Sequence, residues 1–179
     1  MPRFWSLAGT LLLGSCLLPY LTGPAIMSAS AQSSFVGTAS VTVELDQRTS
    51  HSVVEPAAER QLLDLLNTTR AQHGVPPLRM DGGLREAARA HSHDMAVGGY
   101  AGHGSFSLGS ALDRLSHVVA WGLVAENVTF AVNSVAAHRA LVASQTHLEN
   151  ILEPRFHRVG IGVFSAGSLG LAVTQDFAE

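Results

Sequence analysis

The hydrophobic pattern of the chain predicts helices first and strands last. Leu62, Leu66 and Thr69 form an apolar stripe at helical spacing, and Gly74 ends that helix. Asp81 is the predicted N-cap of a second helix, which runs to residue 97 and ends at a pair of glycines. Three shorter helical segments are predicted further along, at residues 110–115, 133–143 and 147–152.

Two strands close the predicted pattern, at residues 159–164 and 169–177, with a turn at residues 165–168. Residues 118–124 are interpreted as an apolar approach to Glu126. Helices that precede strands without regular alternation favour one layered α+β domain over an array of βαβ units.

The N-terminus has the pattern of an export signal. Arg3 precedes a long apolar run, 7–26, and Ala29-Ser30-Ala31 supplies the small residues that signal peptidase requires. We therefore predict a signal peptide at residues 1–31 and a secreted or envelope-located protein with no stable membrane anchor after cleavage. A retained anchor and lipidation of Cys16 are the alternatives.

The composition limits the partners and the domain boundaries. Cys16 is the only cysteine, so cleavage after Ala31 leaves a chain without disulfides, which favours bacterial export. The net charge of -3 and the absence of a basic run argue against nucleic acid as a ligand. Residues 32–54 are rich in Ser, Thr and Val, with a candidate strand at 40–45. They are predicted to be a linker or flexible arm before a domain at residues 55–179.

Short polar motifs follow the apolar segments of the second half. They are Ala101-Gly102-His103, Ala125-Glu126-Asn127, the run 144–152 that contains His147, Arg158-Val159-Gly160-Ile161-Gly162-Val163, and Thr174-Gln175-Asp176-Phe177. In this order and at these spacings, with the helix motifs at 65–70 and 87–95, they resemble the CAP superfamily. The similarity is greatest to its bacterial branch, the SCP-like extracellular domain.

The resemblance covers the chain from about residue 55 to its end. It implies a three-layer α-β-α sandwich with a shallow cleft lined by two His and usually two Glu, which in some members holds a divalent metal. His103, Glu126 and His147 match three of these family positions, and no second Glu is assignable. Leu148 and its neighbours depart from the family pattern, which weakens the expectation of conserved cleft chemistry.

Two interpretations of the cleft remain open from the sequence. His103, Glu126 and His147 could form a zinc site completed by water, or they could hydrogen-bond to one another and fasten the segments without a metal.

Other polar residues are expected to be structural. His91 is expected to face the core and His93 the solvent, and Asp176 could cap a backbone end or pair with an arginine such as Arg155. The amide of Asn127 could tie a strand end to neighbouring backbone. The remaining histidines are expected at the surface or at its boundary, and they are His51, His73, His117, His138 and His157.

The expected function is a non-enzymatic exported module that binds a small lipid-like molecule or an envelope component in its cleft and needs no cofactor. The alternative is a weak metal-dependent hydrolase that uses His103, Glu126 and His147 with weakly bound Zn²⁺ or another divalent metal. A serine hydrolase is excluded because no Gly-x-Ser-x-Gly motif is present.

Overall fold

A computed structural model describes residues 53–179. The predicted signal peptide, the candidate strand at 40–45 and most of the predicted arm lie outside the described residues. Within residues 53–179, no helix is long and apolar enough to cross a membrane.

The described chain alternates helices and strands less regularly than a βαβ array. In chain order the elements are α1 (Pro56–Gln72), β1 (Arg79–Met80), α2 (Gly82–Gly98), α3 (Ala111–Ser116), β2 (Val124–Ala131), α4 (Ser134–Ala143), α5 (Gln145–Leu152), β3 (Arg158–Ser165), a 3-10 turn (Gly167–Leu169) and β4 (Leu171–Ala178). All five helices were predicted, α1 and α2 from apolar stripes and α3 and α4 from their N-cap residues. Their ends agree to within about two residues for most of them, except that α1 begins earlier than its stripe.

Local capping explains where the helices begin and end. The Asp81 side chain accepts a hydrogen bond from the Leu84 amide at 3.0 Å, which starts α2, and Gly99 ends it in the left-handed conformation with φ of 65°. Ser110 and Asp113 form a reciprocal capping box at α3. These side chains satisfy backbone groups that the first and last turns leave unpaired.

One mixed sheet has the strand order β1-β3-β4-β2, so that β2 forms an edge. β4 pairs antiparallel with both neighbours, and β1 pairs parallel with β3. The two predicted strands, β3 and β4, are confirmed, whereas the interpretation of the segment before Glu126 missed β2. The adjacent polar residues Glu126 and Asn127 interrupt the alternation of apolar and polar residues by which a half-buried strand is recognised.

The packed structure also begins before the predicted boundary at residue 55. Val54 bridges Phe164 at the edge of β3, and the Ser165 amide donates a hydrogen bond to the Val53 carbonyl at 3.0 Å. At least these two residues of the predicted arm therefore belong to the sheet.

Helices cover both faces of the sheet, which makes the domain an α-β-α sandwich. On one face, α1, α4 and α5 bury a large cluster, chiefly Leu62, Leu66, Leu141, Ile151, Phe156, Ile161, Val163 and Phe177. On the other face, α2 and α3 cover two smaller clusters, built around Leu84, Leu115 and Ala178 and around Met95, Val128 and Ala172. The predicted fold class is confirmed.

Two glycines of β3 allow α2 to lie directly against the sheet. A Cβ atom at Gly160 would be 2.0 Å from the carbonyl carbon of Leu84, and one at Gly162 would be 2.3 Å from that of Ala88. The Ser92 hydroxyl on α2 donates to the Gly162 carbonyl at 2.8 Å. Backbone contact of this kind fixes the position of α2, and with it the residues that α2 brings to the cleft.

Arg70 ties α1 to the loop that follows α5. Its fully buried guanidinium donates to the carbonyls of Pro76 and Ile151, both at 2.6 Å, and to those of Glu153 and Phe156, both at 3.1 Å. One side chain thereby satisfies carbonyl groups that lie up to 86 residues away in the chain.

Candidate functional site

Glu126 is the centre of the site, on the edge strand β2 and on the sheet face that α2 covers. Its side chain is 2% exposed, and both carboxylate oxygens are hydrogen-bonded. Oε1 accepts from His103 Nδ1 at 2.9 Å, and Oε2 accepts from Arg114 Nη2 in a short contact. Residues from a loop, a helix and a strand therefore meet at one carboxylate.

The charge of Glu126 is stabilised by these two partners. Burial raises the pKa of Glu126, but the His103 hydrogen bond and the positive charge of Arg114 together lower it by more than burial raises it. The pKa of Glu126 therefore lies below its ordinary value. An ionised carboxylate only accepts hydrogen bonds, so His103 Nδ1 carries the proton of this hydrogen bond and Nε2 is the ring nitrogen that faces away from Glu126. The His103 side chain is 37% exposed, which leaves part of this ring open to a ligand.

His91 reaches the same site from α2. Its buried ring donates from Nε2 to the Gly102 carbonyl at 2.8 Å, and this nitrogen lies 4.0 Å from Glu126 Oε1. Burial lowers the pKa of His91 below its ordinary value, more strongly than the charge of Glu126 raises it. The prediction that His91 faces the core is confirmed, but no sequence pattern indicated that its ring also supports the residue before His103.

Asp94 holds the remainder of the His103 loop. Its carboxylate accepts hydrogen bonds from the hydroxyls of Tyr100, Ser105 and Ser107, the last two at 2.6 and 2.9 Å. These hydrogen bonds, the one from Ser105 foremost, lower the pKa of Asp94. The loop is thus tied to α2 on both sides of His103.

Asp176 is the second acidic residue of the site. It lies directly across from Glu126 in the pairing of β2 with β4, is fully buried, and neither oxygen has a hydrogen-bond partner within residues 53–179. Burial and then the negative charge of Glu126 raise the pKa of Asp176 well above its ordinary value, which favours the protonated form. The expected pairing of Asp176 with Arg155 is wrong, because neither Asp176 oxygen has a hydrogen-bond partner in the described chain, and Arg155 donates to Glu153 at 2.8 Å.

His147 lies on α5, in the layer on the opposite face of the sheet. Its backbone carbonyl accepts from Asn127 Nδ2 at 3.1 Å, and Asn127 Oδ1 accepts from Asn150 at 2.9 Å, so the expected structural role of Asn127 is confirmed. Burial, and secondly the nearby His103, lower the pKa of the half-buried His147 ring. The structure thus brings His103 and Glu126 into contact and places His147 near His103, but within the described chain no hydrogen bond joins the His147 ring to Glu126.

The side chains present do not assemble a metal site in this arrangement. Within residues 53–179, no three His, Cys, Asp or Glu side chains are grouped so that they could hold a metal ion. Both oxygens of Glu126 accept hydrogen bonds, one from His103 and one from Arg114. The carboxylate is therefore not free to bind zinc together with the imidazoles of His103 and His147. Metal binding by His103, Glu126 and His147 stays a prediction, and the donor set as arranged does not fit it.

The other histidines differ from expectation at one position. His73, His117 and His157 are exposed and His51 lies outside the described residues, but His138, expected near the surface, is buried on α4. Its Nε2 lies 2.8 Å from the Thr69 hydroxyl of α1.

A depression of about 460 Å³ between α1 and α4, at Gln61, Val135 and Arg139, shares no lining residue with the Glu126 site.

Comparison with known proteins agrees with this architecture. The family model described as CAP, the cysteine-rich secretory protein family, matches residues 63–177. Two Bacillus subtilis proteins are similar in sequence. The uncharacterized protein YkwD is 32% identical over 68% of this chain, and the uncharacterized membrane protein YlbC is 33% identical over 62%. The chain spans only 47% and 32% of the lengths of these two relatives.

Solved structures show the same fold. An extracellular protein containing an SCP domain from Bacillus anthracis superposes with a TM-score of 0.64 and 32% identity, covering 70% of this chain and 41% of that one. An outer surface protein of Borrelia burgdorferi gives a TM-score of 0.65 at 13% identity, covering 72% and 98% of the two chains, and supports the fold alone. On the match of the family model and the identity to these relatives, the chain belongs to the CAP family of cysteine-rich secretory proteins.

Proposed function

We propose that the protein is exported and that its CAP domain is a non-enzymatic module, which binds a hydroxyl-bearing component of the cell envelope between His103 and His147. The observation that carries this proposal is the engagement of both oxygens of Glu126 by His103 and Arg114. A carboxylate that is buried, paired with a guanidinium and lowered in pKa is a poor proton acceptor, so it orients His103 better than it could act as a base.

The class of ligand follows from the acceptor atoms of the two imidazoles. His103 donates from Nδ1 to Glu126, so Nε2 is the nitrogen left to accept from a ligand. The lowered pKa of His147 favours the neutral form of its ring, which also has an acceptor nitrogen. Two acceptor nitrogens suit a ligand that donates hydrogen bonds, as the hydroxyl groups of a glycan or of a lipid-like molecule do.

Export is supported by the N-terminal sequence and by one relative. Residues 1–31 carry the signal-peptide pattern, and the similar Bacillus anthracis protein is described as extracellular. N-terminal sequencing of the protein from the culture medium should find Gln32 as the first residue. A chain that begins at a lipidated Cys16, or one that keeps the apolar segment in the membrane, would contradict this part of the proposal.

The second candidate is the hydrolase. The His103–Glu126 hydrogen bond favours it, because a carboxylate that fixes an imidazole through Nδ1 is also how a general base is oriented. Hydrolysis of an ester or glycoside by the purified protein that His103→Ala removes would favour this candidate over a binding module, and loss of that activity with a chelator would identify it as metal-dependent.

Sedimentation with insoluble ligands tests the binding proposal. The secreted protein is mixed with purified peptidoglycan and, separately, with phosphatidylglycerol vesicles, and the fraction in the pellet is measured. We expect one of the two to retain the wild type, His103→Ala and His147→Ala to lose retention, and the exposed control His157→Ala to keep it. Retention of all four proteins alike, or of none, would overturn the assignment of the cleft to an envelope ligand.

A further inference from the structure

Arg114 is a buried cation that is paired with the carboxylate of Glu126. It lies on α3, its side chain is only 5% exposed, and it meets Glu126 Oε2 through Nη2. The same guanidinium donates to the His103 carbonyl at 3.2 Å and to the Gly109 carbonyl at 2.9 Å. Arg114 therefore fixes both the carboxylate and the backbone of the loop that presents His103.

The surroundings of Glu126 require one positive charge. The groups around the carboxylate are two imidazoles, the fully buried acid Asp176 and this guanidinium. A buried carboxylate without a cationic partner is costly, because the low dielectric of the interior does not replace the lost hydration. Arg114 supplies this charge within the described chain.

A divalent metal at the same carboxylate would do the same electrostatic work. It would also lie a few ångströms from the guanidinium, where two cations repel strongly in a site that excludes water. His103 engages Oε1 and Arg114 engages Oε2, so neither oxygen of Glu126 is free to coordinate a metal ion. The guanidinium and a metal are therefore mutually exclusive partners of this carboxylate.

We propose that Arg114 takes the place of a metal ion in this cleft. Its guanidinium keeps the His103–Glu126 hydrogen bond in place without a metal, and its charge prevents a divalent cation from binding at His103 and His147. This inference goes beyond the binding function proposed above, since it concerns the composition of the site and holds whether or not an envelope component binds there.

Exchange of Arg114 for a neutral side chain tests the proposal. Arg114→Gln keeps hydrogen-bond donors but removes the charge, and Arg114→Lys is the matched control that keeps the charge. Zn²⁺ binding is measured by calorimetry, and the absorption spectrum with Co²⁺ reports the ligand geometry. We expect Arg114→Gln to bind Zn²⁺ at least about 10-fold more tightly than the wild type, whereas Arg114→Lys stays like the wild type. Zn²⁺ should also raise the melting temperature of Arg114→Gln only.

Further variants distinguish a cleft site from surface binding. Adding Glu126→Gln or His103→Ala to Arg114→Gln should abolish the gain in affinity. A gain that survives both additions, or equal affinities of Arg114→Gln and wild type, would overturn the proposal. If Arg114→Gln does not fold, as judged by circular dichroism, the wild type decides. Micromolar Zn²⁺ binding that His103→Ala removes would refute exclusion by Arg114, and the absence of such binding supports it.

Discussion

Replacement of Gly162 by Ala should be one of the most damaging small changes in the domain. The added Cβ would lie 2.3 Å from the carbonyl carbon and oxygen of Ala88 and 2.4 Å from the amide nitrogen of Arg89. To restore an ordinary contact of at least 3.4 Å, α2 would have to move away from β3 by roughly 1 Å. The obstacle is helix backbone, which cannot rotate aside as a side chain can.

The expected cost follows from two terms. Overpacking of a close-packed interior costs about 1–3 kcal/mol, and a rigid backbone neighbour places Gly162→Ala at the upper end of that range. The same movement stretches the hydrogen bond from Ser92 to the Gly162 carbonyl, which contributes about 1 kcal/mol. We therefore expect a loss of roughly 3–4 kcal/mol in the free energy of unfolding.

Urea unfolding followed by circular dichroism measures this change. The control is Gly82→Ala at the start of α2, where an added Cβ has no neighbour within 4 Å, and its free energy of unfolding should stay within about 0.5 kcal/mol of the wild type. α2 also carries His91 and Asp94, so the ring resonances of His103 should shift in Gly162→Ala and not in the control. A Gly162→Ala protein as stable as the control would refute direct contact between α2 and β3.

Three further changes test the charged groups of the interior. Arg70→Met leaves several buried carbonyls without donors and should lower the free energy of unfolding by about 3–5 kcal/mol, whereas the exposed control Arg60→Met should change it by less than about 0.5 kcal/mol in urea titrations. Burial lowers the pKa of His138, so its contribution to stability is complete above the unfolded-state pKa of about 6.5 and declines as the pH falls below it. His138→Gln should therefore show a shallower loss of melting temperature on acidification, and an unchanged pH profile would contradict this. The pKa of Asp176 is raised, so its carboxyl destabilises the fold increasingly as the pH rises above about 3.9. Asp176→Asn should melt higher than the wild type at neutral pH and match it near pH 3, and equal melting temperatures at both would show that Asp176 is solvated.

The helices were predictable because their signals are local. Apolar stripes and caps such as Asp81 act within a few residues, so the sequence alone places α1 to α5. β2 was missed because its polar residues serve the site on one face and the Asn127 network on the other, which removes the alternation expected of an edge strand.

The site was only partly predictable for the same reason. The family motifs identified His103, Glu126 and His147, but Arg114 lies in no motif, and Asp176 lies in the motif at residues 174–177 without being assigned to the site. Strand pairing brings Asp176 against Glu126 across 50 residues of sequence, and the packing of α3 brings Arg114 to the opposite oxygen. Neither the register of β4 nor the position of α3 can be derived from local spacing.

The hydrogen bonds of Arg70 have a consequence for the redox tolerance of the domain. Secreted domains commonly join distant segments with disulfides, but residues 53–179 contain no cysteine. Arg70 connects α1 with α5 and with the chain that follows it through hydrogen bonds to backbone carbonyls. It therefore joins distant segments without a bond that thiols can reduce. The described domain therefore needs no oxidant or disulfide isomerase to fold. Its melting temperature should be the same with and without dithiothreitol.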